Sequence, residues 1–588
     1  MLKETSLDPQ EEKQSATTFL LLDIGERLTS ALLIKQVAGI CRLVSRAHVN
    51  STHVPPTNNA AKGVFEAIQK LESISGQTIL NHDSELILHT RQPGRGIDQF
   101  LTSISMGGLL RTVLVAPAVE DPAVESAVHL LQRFPSKIER LFTGANSNDP
   151  VEGIQWMAEA RPDLVFIVGS DAYCRGSGTT KMLKAAAPVG AGVRQFSDTN
   201  RPEVIYAASG DCTEAVQQAF DIGTQFKSTG NLRPDALREH VKPARTLIED
   251  LMRRSYIAKI PGLPEVIRWS NETPFVRNEG LAIFGRYQAA LANGPILVLD
   301  LDVNGLTMVY AKPKFTDLVV RPDLSVGSSL AQLENKLDIE TLSSWLSGFD
   351  NPAEALETLR IHLVNRSIFQ NTVPQTQREL DLDLVLLQGL IGQAVNEASS
   401  AWGLEEGQPL ALNRLFIRGD LLTMTGDHER LILTLFNALQ IQGECECFID
   451  PHNGMALLGQ LLEHHPNAAV DVIESDAFQN LGWMVGVSGR GRKGNEALTV
   501  KVDEAENGSN VLEEPIEWGS LTSISIPAGR IFDATIRYKR RGFSLGSGNT
   551  KNLSDVEGLM ARIWIDGRGR PLALPDDKTG DWQTHTAK

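Results

Sequence analysis

Two apolar runs in this chain stop at an aspartate and resume after a tight turn. Phe19-Leu-Leu-Leu-Asp23-Ile-Gly25 leads into Leu28 to Ile34, and Ile296-Leu-Val-Leu-Asp300-Leu-Asp302 leads into Leu306 to Ala311. A short apolar run cut by a polar turn predicts a buried strand, the turn and a second strand. Each half of the chain thus opens with a β-hairpin carrying a carboxylate at its tip.

The first half continues with strands at 19–23, 29–36 and 41–48, a helix at 64–71 and a short strand at 86–89. After Gly107-Gly108 another buried strand runs to Pro117. Helices at 122–132, 151–160, 179–188 and 212–221 then alternate with strands at 140–142, 163–169 and 203–208. Short, wholly apolar strands between helices predict a parallel or mixed sheet covered on both faces. Residues 235–293 read as helical, broken at Pro243, Pro261, Pro264 and Pro274. Past the second hairpin come helices at 328–346, 352–369, 377–402 and 428–439, with a strand at 415–418. From Leu481 onward helical periodicity gives way to alternation at 498–502, 523–526, 534–538 and 561–565, which predicts an all-β barrel or sandwich.

At 588 residues the chain is too long for one core. Its net charge of −16 argues against nonspecific nucleic-acid binding. The first 16 residues are polar, without the apolar stretch of a signal peptide, and read as a disordered leader. No run reaches the roughly 18 apolar residues of a membrane span. Five scattered cysteines give no disulfide framework and fit a reducing cytoplasm. Cys445-Glu-Cys447 lacks a second Cys/His pair and reads as half-buried strand cysteines before metal ligands. His452, His464 and His465 read as surface histidines, and no Ser–His–Asp set or Walker A motif is present. The basic turns Gly489-Arg490-Gly-Arg492-Lys493 and Lys539-Arg540-Arg541 are solvated loops or a docking surface for an acidic partner.

The paired hairpins resemble the two-lobed fold shared by actin, heat-shock chaperones and sugar kinases. There a glycine lets main-chain N–H groups approach phosphates, and an aspartate holds Mg²⁺ through water. Asp23 and Gly25 match that pattern. Glu26, Arg27 and Ser30 stand where small hydroxyl residues and a lysine are expected; Glu26 repels phosphate, and Arg27 can compensate as a ligand. In the second hairpin Asp302 stands where the glycine would, or else Asp302-Val-Asn-Gly305 is the turn; Asp300-Leu-Asp302 either holds a cation or, with Asn304, only shapes the turn. Ile417-Arg-Gly419-Asp420 keeps one glycine of the pair expected under adenine, and Asp450-Pro-His-Asn-Gly454 reads as a helix cap.

Taken in order over about residues 18–460, Leu21-Leu-Asp-Ile-Gly25, Ser105-Met-Gly-Gly-Leu-Leu-Arg111, Pro162-Asp-Leu-Val-Phe-Ile-Val-Gly169, Pro202-Glu-Val-Ile-Tyr-Ala207, Val241-Lys-Pro-Ala-Arg245, Thr273-Pro274, Leu297-Val-Leu-Asp300, Arg321-Pro-Asp-Leu-Ser-Val-Gly327 and Leu415-Phe-Ile-Arg-Gly419 resemble the glutamate mutase L family of actin-like ATPases. Arg541 to Gly546 and Ile565 to Pro571 belong to an extension beyond that resemblance. The resemblance implies an α/β, two-lobed actin-like ATPase (ribonuclease H-like) fold followed by a C-terminal all-β domain. Lobe I with an α/β insertion spans 17–290, lobe II 291–470, the β domain 471–577, and a loose tail 578–588. It implies ATP and Mg²⁺ as ligands: Asp23 with Asp300 or Asp302 on the metal, Gly25, Arg27, Thr29 and the backbone at Gly327 on phosphate, Gly419 on adenosine. It implies a chaperone or reactivating factor for an adenosylcobalamin-dependent mutase, with cobalamin on the mutase rather than on this chain. The departures at the phosphate turns make the expected activity at most a weak ATPase. The alternatives are a non-catalytic pseudo-ATPase scaffold acting through the β domain, and a small-molecule kinase using Asp171 or Asp323.

Overall fold

The computed structural model describes residues 17–586 except 90–91, 106–107, 146–149, 199, 221–222, 236, 271–273, 304, 371, 373, 406, 424–425, 476, 507, 527–529, 540–549, 558–561 and 573–582. The leader, Gly107, Thr273, Asn304 and the segment Arg540 to Gly546 therefore lie outside the described residues.

The chain opens with β1 (Thr18–Ile24), β2 (Leu28–Val37), β3 (Ile40–Asn50) and β4 (Gln99–Ile104). β1 and β2 form the expected hairpin, β3 extends it antiparallel, and β4 runs parallel to β1 on the other side. An insertion follows, with β5 (Leu110–Ala116), β6 (Ser136–Thr143), β7 (Leu164–Gly169), β8 (Glu203–Ala208) and β9 (Phe226–Ser228) in the all-parallel order β6-β5-β7-β8-β9. Every residue of β7 is buried, because alternate side chains enter different cores: Leu164, Phe166 and Val168 one, Val165 and Ile167 the other. β10 (Phe275–Val276) then joins β4 and completes a first sheet ordered β10-β4-β1-β2-β3.

The second half repeats that order. β11 (Ile296–Asp302), β12 (Gly305–Lys312), β13 (Phe315–Arg321), β14 (Arg414–Arg418) and β15 (Gly443–Ile449) lie as β13-β12-β11-β14-β15, with the same parallel and antiparallel senses. One mixed five-strand order used twice is the two-lobed actin-like fold the hairpins predict.

The C-terminal region is strand-rich, as its alternation predicts. It contains β16 (Gln479–Gly486), β17 (Glu496–Glu504), β18 (Asn510–Glu517), β19 (Leu521–Ser525), β20 (Ile531–Tyr538), β21 (Thr550–Glu557), β22 (Arg562–Asp566) and β23 (Gln583–Thr586). It does not stand apart from lobe II. β16 pairs with β15, and β22, β19 and β23 continue the same sheet to nine strands, while β18-β17-β20-β21 form a second sheet. The physical reason is the edge: β15 carries Cys445 and Cys447, both at 0% exposure, and an uncovered apolar edge invites mispairing. Gln583–Thr586 pairs with β19, inside the stretch expected to be loose.

Other departures are local. β4 has no counterpart among the expected strands, and 86–89 makes only isolated bridges. The single helix expected at 328–346 is two, Leu330–Glu334 and Ile339–Ser343, each started by its own cap, Ser329 and Asp338. Among the described residues no helix is long and apolar enough to cross a membrane.

The lobes meet along two helices, Arg277–Ala292 and Met455–His464. Their backbones almost touch. A Cβ on Gly459 would sit 1.9 Å from the Gly280 carbonyl oxygen, and one on Gly280 would sit 2.1 Å from that of Ala456. The first residue of the earlier helix is Arg277, and it points into the space between the hairpins.

Candidate functional site

Asp23 sits near the end of β1 and Asp300 near the end of β11, at 1% and 4% exposure. Parallel pairing sets Ser103 of β4 beside Asp23, and Arg418, the last residue of β14, beside Asp300. Ser103 donates its hydroxyl to Asp23.

Two buried arginines join these acids. Arg277 holds Asp23 in bidentate fashion through one edge of its guanidinium, Nη2 to Oδ2 at 2.8 Å and Nε to Oδ1 at 3.2 Å. Its Nη1 lies 3.0 Å from Asp302 and 4.0 Å from Asp300. Arg418 lies 3.2 Å from Asp23 through Nη2 and 3.7 Å from Asp300 through Nε. Asp23 and Arg277 belong to lobe I, the other three residues to lobe II, so each arginine bridges the lobes. Burial alone would raise the Asp23 pKa, but Arg277, Arg418 and the Ser103 hydroxyl outweigh it and hold the carboxyl below its usual range. Burial disfavours the Arg277 cation, yet Asp23, Asp300 and Asp302 hold it firmly protonated.

Asp23, Gly25, Arg27, Asp302, Arg418 and Gly419 line what space remains, a cavity of about 20 Å³, roughly one water. The Gly25 N–H donates to the Leu28 carbonyl at 2.9 Å, so it closes the hairpin. A Cβ there would meet Arg277 Nη2 at 2.8 Å, so glycine is needed for the arginine's approach. Gly419 is at φ +95°, with Leu301 O only 2.3 Å from where its Cβ would be, so it serves backbone packing. Thr29 is buried against Ser51, and Gly327 lies under Gln370; neither lines the cavity. Glu26 faces His53 at 3.3 Å.

In the described arrangement Asp23 is paired with arginine and the site is closed down to a water-sized space. Both oxygens of Asp23 are engaged by guanidinium groups, whereas Mg²⁺ needs carboxylate oxygen and water. A ligand pocket of about 300 Å³ or more is replaced by a water-sized void. Among the described residues no group of three or more His, Cys, Asp or Glu side chains is arranged to hold a metal.

Sequence reasoning found the acids and missed Arg277, Arg418 and Ser103. The only signal was Arg418 ending an apolar strand beside an acidic turn. Asp450 lies ahead of the helix Met455–His464, whose N-cap is Gly454; fully buried, it ties the preceding turn to the helix start by accepting N–H bonds from His452, Gly454 and Met455 at 3.1, 3.1 and 2.7 Å. His452 is not a surface residue: it is 8% exposed and takes Arg46 Nη1 at 2.6 Å on Nδ1, across the lobes. Burial, then Arg46, push its pKa down to about 4. Cys445 and Cys447 are fully buried rather than half-buried, and burial raises both thiols. Asp171 is bonded by Asn231 at 2.7 Å, and Asp323 is paired with Arg321 and Lys336.

In overall fold the chain is similar to a nucleotide-free acetone carboxylase structure, at 10% identity and TM-score 0.32, covering 85% of this chain and 81% of that one. It is similar to xylulose kinase from Bifidobacterium adolescentis, at 11% identity and TM-score 0.28, covering 80% and 97%. It is similar to gluconate kinase from Lactobacillus acidophilus, at 9% identity and TM-score 0.29, covering 80% and 94%. No curated protein matches the chain. The family model described as MutL protein matches residues 19–477.

Proposed function

The chain belongs to the glutamate mutase L (MutL protein) family, and from that premise we propose that it is an accessory factor for an adenosylcobalamin-dependent mutase whose lobes are held by ion pairs in place of Mg²⁺-nucleotide. One observation carries this reading. Arg277 and Arg418 stand between the two hairpin acids, where a metal cation would otherwise neutralise them. Opposite charges already paired with one another reduce the electrostatic gain for an entering nucleotide, although Arg418 Nε and Nη1 are buried without a hydrogen-bond partner. ATP hydrolysis is therefore lost, and the protein acts by binding its partner, with cobalamin chemistry remaining on the mutase.

The test is to purify the chain with mutase subunits encoded in the same host. The subunits should co-purify, and the chain should prolong mutase activity during turnover equally well with ATP, ADP or no nucleotide. Protection that requires hydrolysable ATP, or no association at all, overturns the reading.

A further inference from the structure

In a chain of net charge −16, the described segments 489–493 and 537–539 together hold five arginines and lysines and no acid. The fold brings them together. The Lys539 N–H donates to the Ala497 carbonyl at 3.2 Å, directly beside the 489–495 turn. That turn is fixed. Gly494 N–H bonds Trp518 O at 3.0 Å, Trp518 N–H bonds Asn495 O at 2.8 Å, and a Cβ on Gly491 would lie 2.3 Å from the Trp518 ring. Arg490, Arg492, Lys493, Arg537 and Lys539 are all exposed on this edge.

We propose that this edge is a docking site for a carboxylate-rich segment of a protein partner. Arg492, Lys539 and Trp518 line a cavity of about 90 Å³, room for the head of one Asp or Glu side chain. The acid lining it, Glu496, is already held by Lys539 at 3.0 Å and by Thr499 at 2.6 Å. Guanidinium groups bind carboxylates in bidentate fashion, and clustered cations steer an anionic partner. The footprint is local. A short acidic peptide suits this footprint better than a longer nucleic-acid strand, because the chain as a whole carries a net charge of −16. The proposal rests on the C-terminal strands alone and is independent of the mutase reading.

The test is fluorescence anisotropy of the full chain with a labelled octaglutamate peptide, beside a single-stranded oligothymidylate of the same charge. The peptide should bind, and its affinity should drop about tenfold as salt rises from about 50 to about 200 mM. Arg492→Glu/Lys493→Glu, checked for unchanged Tm, should weaken it by about tenfold, and Arg537→Glu should weaken it independently. Absence of peptide binding at low salt, equal binding by the folded variants, or tighter binding of the oligonucleotide overturns the proposal.

Discussion

Arg418 is 1% exposed, and its neighbours are Asp23 and Asp300. Burying an ion costs several kcal/mol, so such a residue persists only when its partners are held in place. Arg418→Met leaves two buried carboxylates undercompensated and should destabilise the protein by about 3–5 kcal/mol. Adding Asp23→Asn should restore part of that loss. Denaturant unfolding of the single and double variants checks this, and strictly additive losses contradict it. His452 gives a second residue-scale prediction. The unfolded side chain takes up a proton near pH 6.5, the folded one only near pH 4. Between those values the unfolded state binds more protons, so stability falls as pH falls, by roughly 3 kcal/mol across the window. Tm measured between pH 7.5 and about 4 should show this slope, and His452→Gln should flatten it. The carboxylates were legible because each ends an apolar run. The arginines were not: Arg418 ends an apolar strand, yet local pattern does not tell a buried arginine from an exposed one until the strands beside it are placed.

At the scale of elements, the hairpins and the inserted sheet followed from apolar runs and glycine turns. β4 did not, although it is central to lobe I. Gln99, Thr102 and Ser103 break its apolar pattern, yet Thr102 and Ser103 are buried, Ser103 because it serves Asp23. The interlobe helix crossing was equally hidden, since Gly280 and Gly459 look like ordinary helix-weakening glycines. Their backbones approach so closely that Gly459→Ala forces the lobes apart. The variant should lose about 1–3 kcal/mol or more, the cost of overpacking, instead of gaining the helix-propensity benefit of alanine. A raised Tm would show that the contact is looser than described.

For the whole molecule, repetition of one strand order gives two lobes, and hairpin position alone made that readable. Continuity of lobe II with the C-terminal strands was not readable, because strand alternation fixes which face is buried and not which edge is paired. Trp564 of β22 and Met484 of β16 belong to the same core as Leu415 and Ile417 of β14. A chain stopped after Glu474 should therefore expose the β15 edge and aggregate, which sedimentation would detect. A soluble truncated monomer of unchanged Tm would mean that the C-terminal region folds separately. The central claim concerns the space between the lobes, and calorimetric titration of the intact chain with Mg-ATP and Mg-ADP tests it most directly. The ion-pair latch predicts no binding heat and no thermal stabilisation at millimolar nucleotide. Micromolar binding that disappears in Asp23→Ala would contradict it and return Asp23 to a metal-holding role.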